Sequence, residues 1–519
     1  MAHTVPMSPA RGPAKAKTAA TALAANRLGI PSVTYFVISM GAPMTIVVGA
    51  VTTGYSVTGL IGIPLGFVVM GIVLALFCVG YVKMAPHVPN AGAFNAYVSK
   101  GMNRPLGVAA GWGALLAYNG MQIGFYGALA DASGPLFRDW FGINLPWWVL
   151  ALAGWAVVAV IGLQHIDLSG RVLSVLMITE CAVIVLFSVA CLVHPANNTV
   201  TFDTLSPDNL FKPGAGVLLA IAVLGFVGFE TAVVFSEEAK QPRRTVPVTT
   251  FLSLGAMIVL YTLGSWAMSV ATGPDNVVQQ SREHGTDLIF FIARQHLGGA
   301  LADIGRVMYI TSVLAGLIAF HNAAARYKFS LGRERVLPAF LGKTSQRTSS
   351  PKTGSITQSV LALIVLLVYA FAGWDPVVQL FFWWTAGGSF GILLLVALTS
   401  IAVVGFFLRH PSPDSTWQSL VVPIIAAIGC VVSVALVLAN FAALVGVDED
   451  SPLRWGIPAV YLVVGALAVV WALTLRTIRP HVYATIGLGA KSVTGTGLGL
   501  GNPDQFLDQP TDSWQLARR

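Results

Sequence analysis

The sequence predicts an all-α polytopic membrane protein with about twelve transmembrane helices. Helices 1 and 6 are expected to be broken within a five-plus-five inverted repeat, and two helices are appended to it. Three observations predict this class. First, the 519 residues are 55% hydrophobic and only 10% charged, where a soluble domain carries about 25% charged residues. Second, the mean hydropathy of +0.75 is concentrated in apolar runs of bilayer length, which takes roughly 20 helical residues. Third, two of those runs, the first and the sixth, carry helix-breaking residues near their middles.

The spans are expected at about 31–52, 58–81, 106–133, 147–164, 170–193, 214–236, 248–271, 302–327, 355–372, 377–407, 419–445 and 456–476. The tenth is long enough to tilt or to continue past the membrane. The connection at about 272–301 contains Leu288-Ile289-Phe290-Phe291 and Leu297 and predicts a short helix on the outer surface. Residues 83–105, with Lys83, Pro86, Pro89, Gly92, Lys100 and Arg104, predict an inner-surface segment. Residues 1–29 are expected to be a disordered cytoplasmic tail, because the basic start runs into a full-length span with no cleavage site. Residues 481–519 are Gly-rich and polar and are expected to be a second disordered tail. The transport domain is then 30–480.

Orientation follows from Lys and Arg. With the N-terminus inside, the outer segments hold only Arg138, Lys212, Arg282, Arg294, Arg306 and Arg454 of the 30 basic residues. The positive-inside rule therefore predicts both termini in the cytoplasm of a multi-pass cell-membrane protein. The net charge of +8 reflects these basic loops and does not point to nucleic acid. Cys78, Cys181, Cys191 and Cys430 all lie in apolar runs, and their spacing implies neither a disulfide framework nor a metal site. No cofactor motif is present. The absence of a Walker motif argues against ATP-driven pumping, and the absence of H-E-x-x-H and of any deep acid or histidine from helix 9 onward argues against a membrane hydrolase. An enzyme or a receptor is the less favoured class.

The sixth run contains Gly225-Phe226-Val227-Gly228-Phe229-Glu230-Thr231. Two glycines weaken the helix, and a buried acid in a bilayer is a functional hypothesis by default. The first run contains Ser39-Met40-Gly41-Ala42-Pro43, where proline removes an amide and clashes with the preceding turn. The two breaks are five spans apart. An odd separation inverts the second unit, and discontinuous helices in both units mark a substrate site at the bilayer midplane.

At these residues the chain resembles the amino acid–polyamine–organocation permeases of leucine-transporter fold. The segment Gly225–Thr231 followed by Ser236-Glu237-Glu238-Ala239-Lys240-Gln241-Pro242-Arg243-Arg244-Thr245-Val246-Pro247 is similar to that family's sixth helix and exit, with Gln241 where Asn is common. Ala325 to Pro338 is similar to its segment after helix 8, and Pro86 to Tyr97 to the segment after helix 2. Met40-Gly41-Ala42-Pro43-Met44-Thr45 departs from the family's glycine-rich first helix. The resemblance covers most of 30–480. It implies a secondary active transporter of amino acids or related amines working by alternating access. Proton-coupled symport is the favoured mode, and exchange or sodium coupling, the latter through hydroxyls such as Thr311 and Ser312, are the alternatives.

Unwound turns free amides and carbonyls, and half-helix ends carry partial charge. Gly41, Ala42 and Thr45 are therefore expected to receive a substrate carboxylate, while Gly225, Phe226 and Gly228 offer carbonyls to its amino group. Of the 22 acids, Glu180 and Glu230 are read as lying deep in spans. Glu180 is about 15 Å into helix 5 at 1.5 Å per residue, and the resemblance aligns it with a lysine that replaces sodium in proton-coupled relatives. It is the candidate proton carrier. Glu230 is a candidate for coupling or gating, or else a cap for the second half-helix. Phe226 is the first choice for a lid. Phe320, Tyr118, Tyr126 and the pair Trp383-Trp384 are weaker ones. His321 and Asn322 are polar residues near the inner end of helix 8. Arg326 is expected to anchor at headgroups rather than to close a gate.

Overall fold

The computed structural model describes residues 23, 26–88, 90–164, 166–345, 350–411 and 415–489, with the side chains of 166–173 outside the described set. Most of both predicted tails, Pro89 of the third motif, and the side chains of Ser169 to Val172 therefore lie outside the described residues. Twelve helical spans follow one another: α1 (Ile30–Thr58), α2 (Ile63–Met84), α3 (Arg104–Phe141), α4 (Trp147–Gly162), α5 (Ile166–Val193), α6 (Ala215–Val233), α7 (Pro242–Thr272), α8 (Gly299–Arg333), α9 (Lys352–Ala372), α10 (Pro376–Arg409), α11 (Trp417–Ala439) and α12 (Leu453–Ile478). Ten of them are long and apolar enough to cross a membrane. The other two are the 16-residue apolar α4 and the 38-residue α3, whose glycines and polar residues lower its hydropathy. Among the described residues the only β-type pairing is an isolated bridge between Leu28 and Ala239.

The two five-helix units are α1–α5 and α6–α10, with α11 and α12 added. Burial separates the centre from the lipid-facing shell. The most apolar windows of α1 and α6 are 94% and 100% buried, whereas that of α12 is 22% buried. A membrane helix with an exposed apolar surface needs no partner, because lipid tails supply one. Ordering at the centre must come from close packing and polar bonds. α3 forms the spine on which α8, α10 and α12 rest.

Two connections differ from expectation. Within 83–105, helix Ala93–Gly101 has only Lys100 partly exposed. It is packed into one end of the bundle, not laid on the surface. The chain beyond Pro480, expected to be disordered, forms helix Pro480–Thr485 and then a loop in which Ile486 is fully buried. The connection between α7 and α8 does contain short helices, Val277–His284 and Leu288–Leu297.

Candidate functional site

The break in α1 follows from one missing donor. In a continuous helix, residue 43 would donate to the Ser39 carbonyl, but Pro43 has no N–H. Ala42 donates instead, at 3.2 Å, and takes a left-handed conformation (φ 41°, ψ 68°). The helix restarts at Pro43 and runs through a π-helical stretch, Ile46–Ala50. Its first amides have no intrahelical partner and need acceptors from elsewhere. Met44 N donates to Glu180 Oε1 on α5. Thr45 N donates to Ser312 Oγ on α8 at 3.3 Å, Thr45 Oγ1 donates to the same oxygen at 3.1 Å, and Ser312 Oγ donates to Glu180 Oε1 at 2.5 Å. Glu180, 1% exposed, therefore caps a half-helix and ties α5, α1 and α8 together. A carboxyl group at a helix N-terminus is well placed electrostatically. Helix-one amides assigned to a substrate carboxylate are thus bonded within the protein, to Ser39, Glu180 and Ser312. Thr311, by contrast, bonds back to the Met308 carbonyl of its own helix.

The break in α6 is built differently. The α-helix ends at Phe226, Val227 turns extended (φ −57°, ψ 127°), and Gly228 takes φ 111°, a conformation open to glycine and few others. The predicted second half-helix is not α-helical. Phe229–Val233 is 3-10, and successive turns carry the chain on to Glu238. Local side chains explain this. Glu230 Oε2 accepts from Gly228 N at 3.0 Å, and Thr231 Oγ1 donates to the Gly228 carbonyl at 2.6 Å. Such side-chain bonds to nearby backbone compete with the α-helical pattern. Glu230 Oε1 accepts from Tyr118 on α3 at 2.6 Å, and the Glu230 carbonyl accepts from Tyr81 on α2 at 2.9 Å.

The two breaks meet. A Cβ placed on Gly228 would lie 2.5 Å from Met40 Cβ, and one on Gly41 would lie 3.5 Å from the Gly225 carbonyl. Tyr261 of α7 donates to the Gly41 carbonyl at 3.2 Å. Among the described residues, no donor outside the helix reaches the carbonyls of Gly225 or Phe226. The Phe226 ring does not lie across the breaks. It faces α2 and α7, with centroids 6.0 Å from Phe67 and 5.9 Å from Tyr261. Phe320 belongs to a different aromatic column, 6.5 Å from Tyr118 and 5.2 Å from Phe125. Tyr126 is a hydrogen-bond partner of Gln122. Trp384 donates to Tyr369, and Trp383 to the Val445 carbonyl.

One end of the bundle is closed by buried ions. Arg326 of α8 makes a two-pronged bond to Glu238 at 2.7 and 3.1 Å, with both side chains 1% exposed, and stacks on Phe235 at 4.9 Å. This corrects the expectation of a headgroup anchor, because the guanidinium is sealed inside the protein. The backbone N–H groups of Arg27 and Leu28 donate to the Glu238 carbonyl. Arg333 holds Glu237 at 2.8 and 2.6 Å, and Glu237 also accepts from Ala91 N. Next to it, Glu334 accepts from Asn90, Asn95, Gly487 N and Gly489 N. Burial pushes the Glu334 carboxyl above its usual range, against the pull of those amides and of Arg333. The sequence marked Glu237, Glu238, Arg326 and Arg333 as motif residues. Their pairing across 88 and 96 positions of chain was not visible there.

A multi-pass bundle with two facing helix breaks, deep acids beside them and an ion-paired end defines a membrane transporter, not an enzyme. The chain belongs to the amino acid permease family, whose model matches residues 28–471. Among curated proteins it is similar to the branched-chain amino acid permease of Lactococcus lactis (23% identical, covering 71% of this chain and 80% of that one). It is also similar to the methylthioribose transporter of Bacillus subtilis (23%, covering 70% and 77%) and the low-affinity putrescine importer of Escherichia coli (22%, covering 74% and 83%). Among solved structures, the Eremococcus coleocola manganese transporter, in complex with an aromatic bis-isothiourea compound, shares the fold. Its TM-score is 0.52 at 12% identity, covering 88% of this chain and 98% of that one.

Proposed function

We propose that this permease moves an amino acid or related amine across the cytoplasmic membrane by alternating access, coupled to protons through Glu180. Both termini lie in the cytoplasm on this reading, so the ion-paired end is the inner gate and the structure is closed to the cytoplasm. The observation that carries the reading is the bond set of Glu180. One carboxyl joins the restart of α1, α5 and Ser312 of α8. It also holds the helix end that a substrate carboxylate would seek. Substrate and Glu180 then address the same amides, and a change in the Glu180 proton alters how strongly it competes. The Gly225 and Phe226 carbonyls are the acceptors proposed for the substrate amino group, with Gly41 leaving the approach to Gly225 open. Glu230 and Gly228 shape that break.

The family and two of those relatives favour this substrate class, since they carry branched-chain amino acids and putrescine; the third carries methylthioribose, which belongs to neither group. The test is uptake of a panel of radiolabelled amino acids and polyamines into proteoliposomes, with and without an inward proton gradient. At least one substrate is expected to accumulate only when the gradient is present. Equal accumulation without a gradient, but dependent on internal substrate, would establish an exchanger instead.

A further inference from the structure

A second buried polar group lies away from both breaks, where α3, α8 and α9 meet. Lys328 Nζ donates to Gln358 Oε1. Gln358 Nε2 donates to Gln122 Oε1 at 2.6 Å. Gln122 Nε2 lies 3.3 Å from His321 Nδ1 and 3.2 Å from the Tyr126 hydroxyl. His321 Nε2 lies 2.7 Å from Ser355 Oγ. His321 is 1% and Lys328 7% exposed, and Gln122 and Gln358 are fully buried. Among the described residues no carboxylate reaches Lys328, and Gln358 is its one polar partner. A buried lysine in a membrane is ordinarily paired with an acid or serves a function. Among the described residues, the charged and titratable groups around the pair come from α8 and α3. Arg326, already committed to Glu238, and Tyr327 lie on α8; Tyr118 and Tyr126 lie on α3. α4 brings only Gly162 against the His321 ring, and α9 carries no ionisable side chain between Ser355 and Tyr369.

The donors and acceptors along this chain are fully determined. Lys328 as an ammonium can only donate, so Gln358 turns its oxygen to Lys328 and its amide nitrogen to Gln122. Gln122 must then present its nitrogen to His321. Nδ1 is left as an acceptor, so the ring is neutral with its proton on Nε2, toward Ser355. A proton on Nδ1 would place donor against donor, and an unmet buried polar contact costs roughly 1–3 kcal/mol. The conflict is relieved only if both glutamine amides turn over. Gln358 then presents its nitrogen to Lys328, which must be a neutral amine to accept.

We propose that these four residues form a proton site that holds one exchangeable proton in either of two positions, Lys328 Nζ or His321 Nδ1, never both. In one direction the Lys328 N–H bond breaks and the proton passes to water, leaving a lone pair that accepts from Gln358. Both amides turn over. His321 Nδ1 takes a proton from water and becomes an imidazolium, with its Nε2–H still on Ser355. The reverse order resets the site with no other reactant. The two positions are seven residues apart on α8, about 10 Å along the helix at 1.5 Å per residue. Lys328 is the one nearer the C-terminal end of α8 at Arg333, which on the proposed orientation is the cytoplasmic end and the side from which water would reach it. This site is independent of Glu180 and adds a second proton position to the transporter.

The experiment is nitrogen-15 NMR of full-length protein in lipid nanodiscs, with labelled histidine, the His321 signals being assigned by their loss in His321→Asn. In the unmodified chain His321 is expected as the neutral Nε2–H form at neutral pH. In Lys328→Met the Nδ1-protonated signal should appear, with the proton affinity of the ring raised at least tenfold. In Lys328→Arg, which cannot become neutral, the Nε2–H form should persist to lower pH than in the unmodified chain. In a Gln358→Leu background, the substitution Lys328→Met should no longer change the His321 titration. A His321 titration that is the same in the unmodified, Lys328→Met and Lys328→Arg proteins overturns the proposal. If Lys328→Met does not fold, the Lys328→Arg comparison alone decides it.

Discussion

The two deep carboxyls are equally buried, yet they bond to different parts of the molecule. Glu180 makes its bonds to other helices, Met44 on α1 and Ser312 on α8. Glu230 spends one oxygen on the amide two residues before it and the other on Tyr118. A group whose bonds cross between helices feels their relative motion. Glu230 divides its carboxyl between its own turn, where it fixes backbone shape, and a single tyrosine on α3. On the proposed reading, the same residue type at similar depth is a coupling element at one break and mainly a building element at the other. Population shift requires different interaction energies in the two states, and the Glu180 arrangement, with one oxygen shared by two other helices, supplies the larger source of that difference.

The largest effect is expected where the second break relies on glycine alone. Gly228→Ala must adopt φ 111° with a Cβ 2.5 Å from Met40 Cβ. Strain and overpacking together should lower stability by roughly 3 kcal/mol or more. Thermal unfolding of the purified protein checks this, and an unchanged midpoint would show that the break is less constrained than described. Removing one partner of the closing ion pair, as in Arg326→Ala, leaves Glu238 buried and unpaired, at a cost of about 3–5 kcal/mol to the closed state. A cysteine placed at Ser39 should then become reactive to a cytoplasmic thiol reagent. Protection equal to that of the parent would place the closed gate elsewhere.

Phe226→Ala should act as a core deletion. Its ring packs between Phe67 and Tyr261, so the loss is expected as about 3–5 kcal/mol of stability, with substrate affinity changed by less than about threefold. A much larger loss of affinity with normal stability would return Phe226 to the role of lid. The smallest effect is expected for Tyr118→Phe, which removes one hydrogen bond to a carboxylate, about 1.5–3 kcal/mol. It should weaken the α6 break and leave the pH dependence of uptake unaltered. A shifted pH profile would mean that Glu230 shares in coupling.

Much of this molecule is legible from its residues, because membrane depth leaves few choices. Pro43 strips the Ser39 carbonyl of its donor, and with Gly41 beside it marked the break in α1, although proline alone does not, since Pro135, Pro247 and Pro458 lie inside continuous helices. Gly225 and Gly228 similarly marked the break in α6. What followed that break was not legible. An apolar run through Ser236 reads as helix, and the 3-10 path depends on whether Glu230 and Thr231 bond to Gly228, a matter of side-chain direction. Long-range partners were equally hidden. Nothing in helix 5 announces that Glu180 reaches Met44, and nothing near Arg326 announces Glu238. The polar residues on α3 and α9 that meet His321 and Lys328 belong to no motif of the sequence. Gln122 and Gln358 are separated by 236 positions, and only packing makes them one network. The first residues of the expected tail, as far as Gly489, are ordered for a related reason. Its glycines read as disorder, yet two of them offer the amides that Glu334 accepts.

The division of labour between the two carboxyls is tested most directly by measuring two transport modes in the same proteoliposomes. Net uptake driven by a pH gradient is compared with homo-exchange at symmetric pH, for Glu180→Gln and Glu230→Gln. Glutamine at 180 still accepts from Met44 and Ser312 but cannot exchange a proton, so exchange should persist while gradient-driven accumulation is lost. Glutamine at 230 keeps Gly228 N only by turning its amide nitrogen toward Tyr118, whose hydroxyl must then accept instead of donate, so the α6 break is weakened and both modes should fall together. Gradient-driven accumulation by Glu180→Gln, with the pH dependence of the parent protein, would contradict the account and leave Glu180 as a structural cap.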